Sequence, residues 1–511
     1  MFDPERYRGR RVGVLGAGLS GRAAAALLAA KGFRVLLSDS RRNPLPAAIL
    51  KRLPKAIQIE TGGHGPRLFS CGFIVKSPGL KPDAPILRKM RSKRVPVVSE
   101  LELALAFAKA SEVIAISGTN GKTTTTLLAG AIFKLARGAG RVHVCGNIGQ
   151  AVSDTALKTR AGGTLVLEVS SYQLEDSRGF HPNAACLLNV SPDHLDHHGS
   201  FKAYATAKAR LFREFESTDC GVFNARDPVA SNVAREVRGR KLFFGRKGTN
   251  AWVEGRRMVF SYGGAPPRAV RPPALLGEHN LDNAMAAGLL ALSRGIPLAV
   301  VARAFREFRP VEHRLETVGS YRGIQAINDS KATNVDSTAA ALRSVSAPRG
   351  GLLLILGGLD KGSPYAPLRP LLRSGTKAVL TIGQAAPKIE RELAGSAPLF
   401  SCGELKTALS AAFALGEPGD VLLLSPACAS FDQFRDFEDR GRRFKRLLKA
   451  YARTRERDGR TKLFLASSRR CSRSVSSWSI RQAPSGRKPI STAPITILSA
   501  SSSGLPQAGR F

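Results

Sequence analysis

The amino-acid sequence predicts an α/β protein with three domains, built mainly on parallel sheets, and a disordered basic tail. Up to about residue 450, short apolar runs alternate with Ala- and Leu-rich runs of helical length, which is the pattern of parallel sheets. Two of the apolar runs end in glycine-rich turns that open a helix. The length of 511 residues suits about three domains, since one domain usually takes roughly 100–200 residues.

The first strand–turn–helix unit opens the chain. RRVGVLGAG predicts a strand and a glycine turn, GRAAAALLAAKG predicts a helix that ends at a glycine, and RVLLSDS predicts the next strand. Gly16, Gly18 and Gly21, with Asp39 about 20 residues further on, fit the dinucleotide-binding pattern G-x-G-x-x-G. Alone, this pattern favours NAD. Beside a second phosphate loop, it also fits a nucleoside diphosphate that is attached to another group.

The second unit contains ISGTNGKTTTT, residues 116–126, between an apolar strand and an apolar helix. It resembles the phosphate loop G-x-x-x-x-G-K-[ST], but Ile116 stands where the first glycine belongs. Gly118 and Gly121 can still expose backbone N–H groups, while Lys122 supplies an ammonium and Thr123 a hydroxyl for magnesium. The loop therefore predicts nucleoside triphosphate binding. The competing interpretation is a glycine-rich turn with an incidental lysine.

Acids and histidines follow two later apolar strands of the same unit. In TLVLEVSSYQLE, Glu168 ends a strand about 45 residues after the loop lysine, where an acid that reaches a phosphate-loop magnesium would lie. It can equally be a helix-start acid beside two serines. NVSPDHLDHH then gathers two aspartates and three histidines within residues 193–198, with His194 and His198 at helical spacing. This cluster fits either metal binding or a polar surface.

A helix start and a junction loop offer further nucleotide contacts. LLGEHNLDNAMAA places His279, Asn280 and Asn283 at the start of an Ala-rich helix, where the amides either read an adenine edge or cap the helix. FRPVEHRLE places Arg314 at a predicted domain junction, where a charge can arrive on domain closure.

Four short apolar runs predict the third sheet: GIQAINDS, GLLLILGG, KAVLTIG and DVLLLSPAC. Polar loops follow the first and the last, in INDSKATN and LLLSPACASFDQF. Because α/β sheets bind ligands at the carboxyl ends of their strands, Asp329, Lys331 and Ser430 are candidate site residues.

Composition limits the possible partners. The net charge is +39, but only residues 454–511 concentrate it, with 11 Arg or Lys against two acids. Elsewhere the arginines are isolated and lack aromatic interleaving, so nucleic-acid binding is not favoured. No apolar run is long enough to span a bilayer, and MFDPERYRGRR does not look like a signal segment. The seven cysteines, without a C-x-x-C pair, fit neither a disulfide framework nor a zinc site. We expect a cytoplasmic monomer that binds neither nucleic acid nor membrane.

These observations predict four segments: a Rossmann-like domain at 1–108, a P-loop ATPase-like domain at 109–312, a second Rossmann-like domain at 313–453 and a disordered tail at 454–511. The tail is Ser- and Arg-rich without apolar periodicity, which is typical of disorder. It is either an incidental extension or a segment that recruits a partner.

Seven segments taken together, in this order, resemble the Mur ligase family: GTNGKTT, LEVSSYQLE, NVSPDHLDHH, GEHNLDNAMAA, VEHRLE, NDSKATN and SPACASFDQF. The resemblance covers about residues 9–450, and the last two segments are similar to the members that add D-glutamate. It implies an ATP-dependent amide ligase that joins D-glutamate to UDP-N-acetylmuramoyl-L-alanine through an acyl phosphate. Such a reaction belongs to cytoplasmic peptidoglycan synthesis, and so to cell wall biogenesis, cell shape, the cell cycle and cell division. A relative that adds a different amino acid, such as L-glutamate, is the nearest alternative.

The resemblance also implies roles for individual residues. The catalytic residues would be Lys122, His194 and Lys208. The ATP-binding residues would be Gly118, Thr119, Asn120, Gly121, Lys122, Thr123, Thr124, Asn280, Asn283, Arg314 and Asp329. Two Mg²⁺ ions would be held by Thr123, Glu168, His194 and Lys208, the last as a carbamate. The UDP-sugar would be bound by Gly16, Gly18, Leu19, Ser20, Gly21, Asp39, Ser40, Arg41 and Asn147, and the amino acid by Lys331, Thr333, Lys361, Ser430 and Phe437.

Overall fold

The computed structural model describes residues 2–42, 53–309, 312–345, 350–372 and 375–457. The first 452 residues form one compact unit, and they contain three separate sheets. The protein is thus the three-domain α/β fold with parallel sheets that the strand and helix pattern predicted. The predicted tail lies outside the described residues from residue 458 onward. None of the helices in the described ranges is both long and apolar enough to cross a bilayer.

The first sheet has five parallel strands in the order β3-β2-β1-β4-β5. Its strands are β1 Arg11–Leu15, β2 Arg34–Asp39, β3 Ile57–Thr61, β4 Ile74–Lys76 and β5 Val97–Ser99. Its helices are α1 Leu19–Ala30, α2 Pro85–Ser92 and α3 Glu100–Phe107. Four of the five residues of β1 are fully buried, as expected for a strand that is covered on both faces. The strand–turn–helix–strand prediction for this unit is confirmed.

The second sheet has nine strands in the order β14-β13-β12-β11-β10-β9-β6-β8-β7. Its strands are β6 Ala110–Ser117, β7 Val142–Gly146, β8 Gly163–Glu168, β9 Ala184–Leu187, β10 Cys220–Asn224, β11 Arg240–Phe244, β12 Ala251–Glu254, β13 Arg257–Phe260 and β14 Arg268–Val270. Its helices are α4 Lys122–Arg137, α5 Val152–Ala156, α6 Ser171–Glu175, α7 Leu195–His198, α8 Phe201–Ala209, α9 Pro228–Glu236, α10 His279–Ser293 and α11 Leu298–Glu307. Alternate residues of β6 enter two different cores, Val113 and Ala115 on one face and Ile114 and Ile116 on the other.

The third sheet has six strands in the order β15-β16-β20-β17-β18-β19. Its strands are β15 Glu316–Tyr321, β16 Ile324–Asn328, β17 Leu352–Gly357, β18 Thr376–Ile382, β19 Leu399–Gly403 and β20 Val421–Leu424. Its helices are α12 Val335–Ser344, α13 Arg369–Leu372, α14 Ala386–Glu392, α15 Leu405–Leu415 and α16 Phe437–Arg457. The four strands predicted here correspond to β16, β17, β18 and β20 and are confirmed. Short 3-10 turns at Pro4–Tyr7, Pro66–Ser70, Ala139–Arg141, Arg210–Phe212 and Ala366–Leu368 complete the described elements.

Antiparallel pairing occurs at two sheet edges that the alternating pattern did not predict. The strands β12, β13 and β14 extend the second sheet antiparallel to one another, and β15 pairs antiparallel with β16. Gly255, at φ 58°, lies in the two-residue turn between β12 and β13, where a hairpin needs left-handed backbone. A turn this short cannot hold the crossover helix of a parallel pair, so the chain reverses direction.

Candidate active site

The central glycine loop joins β6 to α4. Lys122 lies at the start of α4, and its Nζ donates to the carbonyl oxygens of Gly118 at 2.9 Å and Thr119 at 2.7 Å. Among the described residues no side chain caps the start of α4, so its first N–H groups are open to an anion. Burial is the main reason that the pKa of Lys122 is lowered, and Glu168 and Asp193 oppose the shift.

The two loop glycines meet steric demands that no other residue satisfies. Gly118 and Gly121 have φ values of 155° and 83°, and a Cβ on Gly121 would lie 2.2 Å from Oδ1 of Asn283. Ile116, in contrast, is fully buried within β6 and packs in the core. The missing first glycine of the loop pattern therefore falls on a strand residue, where a large apolar side chain is favourable.

Sheet register places Glu168 beside this loop. The strands β6 and β8 are parallel neighbours with Ile116 opposite Glu168, so both chains leave the sheet at the same level. Asn147 follows β7 on the other side and donates from Nδ2 to Oε1 of Glu168 at 2.9 Å. Oε2 of Glu168 is buried and has no hydrogen-bond partner in the described part of the chain. Burial by itself would raise the pKa of Glu168, but Lys122 and Asn147 hold it below its usual value. This buried anionic oxygen fits a cation ligand.

Asp193, His194 and Lys208 lie within electrostatic reach of the same loop. His194 has left-handed backbone, φ 55°, at the start of α7, a strained conformation that is often found at functional sites. Burial, with nearby Lys122, Lys208 and Lys361, lowers the pKa of His194 to about 4, although Asp193 acts in the opposite direction. The imidazole is therefore neutral near pH 7, as a metal ligand must be.

Lys208 is fully buried on α8. Its Nζ donates to the Gly118 carbonyl at 2.7 Å and lies 4.6 Å from the centre of the Tyr204 ring. Burial, and then the charge of Lys122, lower the pKa of Lys208 well below its usual value. An uncharged amine at this position can react with an electrophile, which an ammonium cannot do.

A cavity of about 120 Å³ lies between the loop and the third sheet. Its lining includes Asn280, Asn283, Arg314, Asp329 and Lys331, together with loop residues. The two amides are linked, since Nδ2 of Asn283 donates to Oδ1 of Asn280 at 2.8 Å, while Asn280 donates to the Leu276 carbonyl at 2.6 Å. The structure therefore brings together the residues that the sequence placed at a helix start, at a junction and at a strand end.

Two charges at the third-sheet side of this cavity have strongly shifted pKa values. Burial raises the pKa of Asp329 to about 7, although its carboxylate accepts from Ser425 Oγ at 2.8 Å and from the Leu315 N–H at 3.2 Å. Burial, and then the charge of Arg314, lower the pKa of Lys331 to about 7. Its Nζ lies 3.7 Å from the centre of the Phe437 ring. Such shifts are typical of functional sites.

The remaining predicted residues of the third domain are more dispersed. Thr333 lies half-buried between β16 and α12, and Ser430 is buried after β20. Lys361 is exposed after β17, yet its charge lowers the pKa of His194. Parallel strands end at one edge of the sheet, which accounts for the nearness of the loops after β16, β17 and β20.

Arg440 is a positioning residue that the sequence did not reveal. It is fully buried, and its guanidinium donates to Ser330 Oγ at 3.0 Å, to the Ser330 carbonyl at 2.8 Å and to the Cys428 carbonyl at 3.2 Å. It thus joins the loops that carry Lys331 and Ser430. The sequence contains 78 Lys and Arg residues, and no local pattern distinguishes this one.

Contacts between the third and central domains were also not predicted. Ser337 donates to Oδ1 of Asn120 at 2.8 Å, and Asn334 donates to Oδ2 of Asp193 at 3.2 Å. Ser191 donates to Asp336 at 2.7 Å. The start of α12 therefore touches both the glycine loop and the histidine segment.

The first domain has a second glycine turn, between β1 and α1. Gly16 has φ 92°, and a Cβ on Gly21 would lie 1.8 Å from the Gly16 carbonyl oxygen, so neither position tolerates a side chain. The carboxylate of Asp39 accepts from the Ala17 N–H at 2.8 Å and from the Arg41 guanidinium at 2.9 Å at each oxygen. The hydrogen bond with Arg41 is the main cause of the depressed pKa of Asp39.

Three residues beside this turn are at least partly exposed: Leu19, Ser20 and Ser40. The Leu19 side chain is 68% exposed at the start of α1, and no side chain of the described residues caps that helix. Ser20 is half-buried, and Ser40 is exposed after β2. Asn147, which the resemblance grouped with them, lies in the central domain, where it donates to Glu168.

Comparison with known proteins identifies the family. Three family models match: the Mur ligase MurD-like N-terminal domain at residues 10–99, the Mur ligase middle domain at 116–291, and the Mur ligase glutamate ligase domain at 313–428.

Curated relatives and solved structures agree with this match. A UDP-N-acetylmuramoylalanine--D-glutamate ligase of Elusimicrobium minutum is 44% identical over 88% of this chain and 100% of its own length, and the one of Anaeromyxobacter dehalogenans is 43% identical over 89% and 100%. The crystal structure of UDP-N-acetylmuramate-alanine ligase MurC of Thermotoga maritima has a TM-score of 0.55 at 21% identity, over 86% of this chain and 99% of that one. The crystal structure of MurF ligase of Thermotoga maritima in complex with ADP has a TM-score of 0.54 at 16% identity, over 76% of this chain and 91% of that one. The chain belongs to the Mur ligase family.

Proposed function

We propose that this protein uses ATP to join D-glutamate to UDP-N-acetylmuramoyl-L-alanine in cytoplasmic peptidoglycan precursor synthesis. Relatives that carry the name of this activity match the chain over nearly their whole lengths. The observation that carries the chemistry is the cluster of Lys122, Glu168, His194 and Lys208 around the central loop. Arg314 and Lys361 of the third domain lie close enough to Lys122 for their charges to act on its pKa.

The reaction has two steps. The substrate carboxylate attacks the γ-phosphorus of ATP, which gives an acyl phosphate and ADP. The amine of D-glutamate then attacks the acyl carbon, loses a proton, and the tetrahedral intermediate expels phosphate to leave an amide. A carboxylate and a triphosphate repel each other, so the site must concentrate positive charge. Lys122 meets this need at the β- and γ-phosphates, and Arg314 adds a charge from the junction with the third domain.

The residues present also fit Mg²⁺. The hydroxyl of Thr123 and the unpartnered carboxylate oxygen of Glu168 would hold one ion, and neutral His194 with Lys208 would serve a second. Bound Mg²⁺ would neutralise phosphate charge during transfer. A lysine ammonium would repel a metal, whereas reaction of the neutral Lys208 amine with CO₂ gives an anionic carbamate oxygen and releases a proton. The depressed pKa of Lys208 supports this modification.

Lys208→Ala tests the carbamate. We expect ligase activity to collapse, because a metal ligand is lost, while the fold and UDP-sugar binding persist. Lys208→Arg should not restore activity, since guanidinium stays cationic. Acetate or formate at high concentration should restore part of the rate of Lys208→Ala, measured as phosphate release against chloride at matched ionic strength. Lys202→Ala is the matched control, because Lys202 is exposed on the same helix. Full activity of Lys208→Ala without added carboxylate would defeat the proposal.

We assign the UDP-sugar to the first domain. Both oxygens of Asp39 already accept hydrogen bonds, from Ala17 and Arg41, so Asp39 is not free to bind the ribose hydroxyls of NAD. The open start of α1 between Gly18 and Gly21 suits the diphosphate, with Leu19, Ser20, Ser40 and Arg41 around it. In the third domain, Lys331, Thr333, Lys361, Ser430 and Phe437 are the residues that we assign to the amino acid, and the cations among them suit its carboxylates.

The test is phosphate release from ATP with UDP-N-acetylmuramoyl-L-alanine and a panel of D- and L-amino acids. Release that depends on both the UDP-sugar and D-glutamate, with an amide product, supports the proposal. If only L-glutamate or a diamino acid supported phosphate release, the protein would have the activity of a different member of the family. Turnover of NADH, or ATP hydrolysis that DNA or RNA stimulates, would instead support a dehydrogenase or a nucleic-acid-dependent ATPase.

A further inference from the structure

Two neighbouring histidines and a glutamate meet beside the catalytic cluster but have no role in the proposed reaction. Glu175 is the last residue of α6, and His197 and His198 are the last two residues of α7. The helix α6 follows β8, and α7 lies in the connection after β9. Because β8 and β9 are the two neighbours of β6 in the sheet, the two short helices lie near each other. The side chains of Glu175, His197 and His198 are only 14%, 5% and 1% exposed.

The ligand atoms of these three residues lie close together. Nε2 of His197 lies 3.0 Å from Oε2 of Glu175, and Nδ1 of His198 lies 3.3 Å from Oε1 of Glu175. One ligand atom from each residue can be chosen so that all three lie within 4.8 Å of one another. Ligands at 2.0–2.2 Å from a tetrahedral Zn²⁺ ion are about 3.3 Å apart. The three groups are therefore near enough for one ion to contact all of them once their side chains adjust.

The histidines are oriented as metal ligands usually are. Nδ1 of His198 is buried and close to Oε1 of Glu175, but it forms no hydrogen bond of acceptable geometry among the described residues, while its Nε2 is 3.0 Å from the Ser171 hydroxyl. A second hydrogen bond of this kind, on the ring nitrogen away from the metal, is the usual way to fix a ligating imidazole. The Tyr172 ring contacts both imidazoles, with centroid distances of 4.1 Å to His197 and 5.5 Å to His198.

We propose that Glu175, His197 and His198 form a Zn²⁺ site. Two imidazoles and one carboxylate are a ligand set that zinc accepts, whereas Mg²⁺ prefers oxygen ligands. The site is separate from the Mg²⁺ cluster, which uses His194 rather than these two histidines. It does not depend on the identity of the amino acid that the enzyme adds.

The test measures zinc binding to the full-length, chelator-stripped protein by calorimetric titration with Zn²⁺ in the presence of excess Mg²⁺. Co²⁺ serves as a spectroscopic probe, because tetrahedral coordination gives intense visible absorption bands. We expect one Zn²⁺ per chain, and binding at least about tenfold weaker in His197→Gln and Glu175→Gln. His194→Gln, which alters the neighbouring cluster, should keep the zinc site.

Thermal unfolding with and without Zn²⁺ also tests the site in variants that fold less stably. Zn²⁺ should raise the thermal midpoint of the wild-type protein, and of His194→Gln, in proportion to its free concentration, but not the midpoint of His197→Gln. Absence of stoichiometric zinc binding to the wild-type protein would overturn the proposal. Zinc binding that survives His197→Gln and is lost in His194→Gln would overturn it as well, because it would assign the ion to the catalytic cluster. In either outcome the three residues form a hydrogen-bonded cluster only.

Discussion

The two glycine turns of this protein have similar backbone conformations, but the acidic residues beside them differ in their hydrogen bonding. In both, a buried parallel strand ends, at least one glycine with positive φ turns the chain, and no side chain of the described residues caps the helix that follows. Beside the first turn, Asp39 is saturated by Ala17 and Arg41. Beside the second, Glu168 keeps a buried oxygen without a partner in the described part of the chain.

The two sites differ in how completely their buried charges are paired. Beside the first turn, Asp39 is paired with Arg41, and the buried Lys76 at the end of β4 pairs with Asp176 and not with Asp39. The second has Lys122 and Lys208 with pKa values that burial lowers, next to Glu168. Burying incompletely paired charges costs stability, and such sites are typical of catalysis. A binding turn and a reacting loop can thus share one backbone shape, and the surrounding charges distinguish them.

The largest expected effect comes from Lys122→Ala. Removing this ammonium from the triphosphate should slow ATP-dependent phosphate release by at least about 10³-fold. Lys134→Ala, an exposed position on the same helix, is the control and should leave the rate near that of the wild-type protein. If Lys122→Ala turned over normally, the loop would be a binding turn like the first one.

Replacing the two acids by neutral amides should affect different properties, the rate for Glu168 and the stability for Asp39. Glu168→Gln should reduce the rate by about 10²-fold, since it removes a charge that the site keeps for a cation. Asp39→Asn should lower the free energy of unfolding by about 1 kcal/mol, because the solvent-screened ion pair with exposed Arg41 is lost, with a smaller effect on the rate. Steady-state kinetics and thermal melts of both variants check the contrast. A larger rate loss in Asp39→Asn than in Glu168→Gln would reverse the roles assigned to the two sites.

Two alanine substitutions separate packing from ligand access in the first turn. Gly21→Ala should destabilise the protein by about 1–3 kcal/mol, because its Cβ collides with the Gly16 carbonyl. Gly18→Ala meets no atom within 4 Å, so the thermal midpoint should change little. If the diphosphate binds here, Gly18→Ala should still raise the KM for the UDP-sugar. Equal KM values for Gly18→Ala and wild-type protein would move the diphosphate away from this turn.

The smallest expected effect is a pH dependence that Asp39 contributes. Its pKa is lowered in the fold, so its charge adds stability above the ordinary value of 3.8 and this contribution disappears as the pH falls through the lower folded pKa. The difference in thermal midpoint between wild-type protein and Asp39→Asn should therefore be largest at neutral pH and shrink below about pH 4. A difference that stays constant down to pH 3 would show that shape, and not charge, stabilises the turn.

The sequence by itself determined the α/β class, the principal strands and the two glycine turns. These features depend on apolar periodicity and on glycines at tight turns, and both can be recognised within short segments of sequence. It also placed Glu168, Asp329 and Lys331 at strand ends, where parallel sheets collect ligand-binding residues. The family motifs added the expectation that Lys208, inside an ordinary helical segment, belongs to the same site.

Only the tertiary structure decided which of these groups are paired, buried or charged. The carboxylate of Asp39 is saturated because the Ala17 N–H, from the turn after β1, donates to it in addition to Arg41. Glu168 stands opposite Ile116 at the end of β8, and among the described residues its Oε2 has no hydrogen-bond partner. Arg440 lies more than 100 residues from Ser330, whose loop it holds. Local pattern cannot encode such pairs, because their energies depend on distance, burial and dielectric, which the chain acquires only when distant strands align.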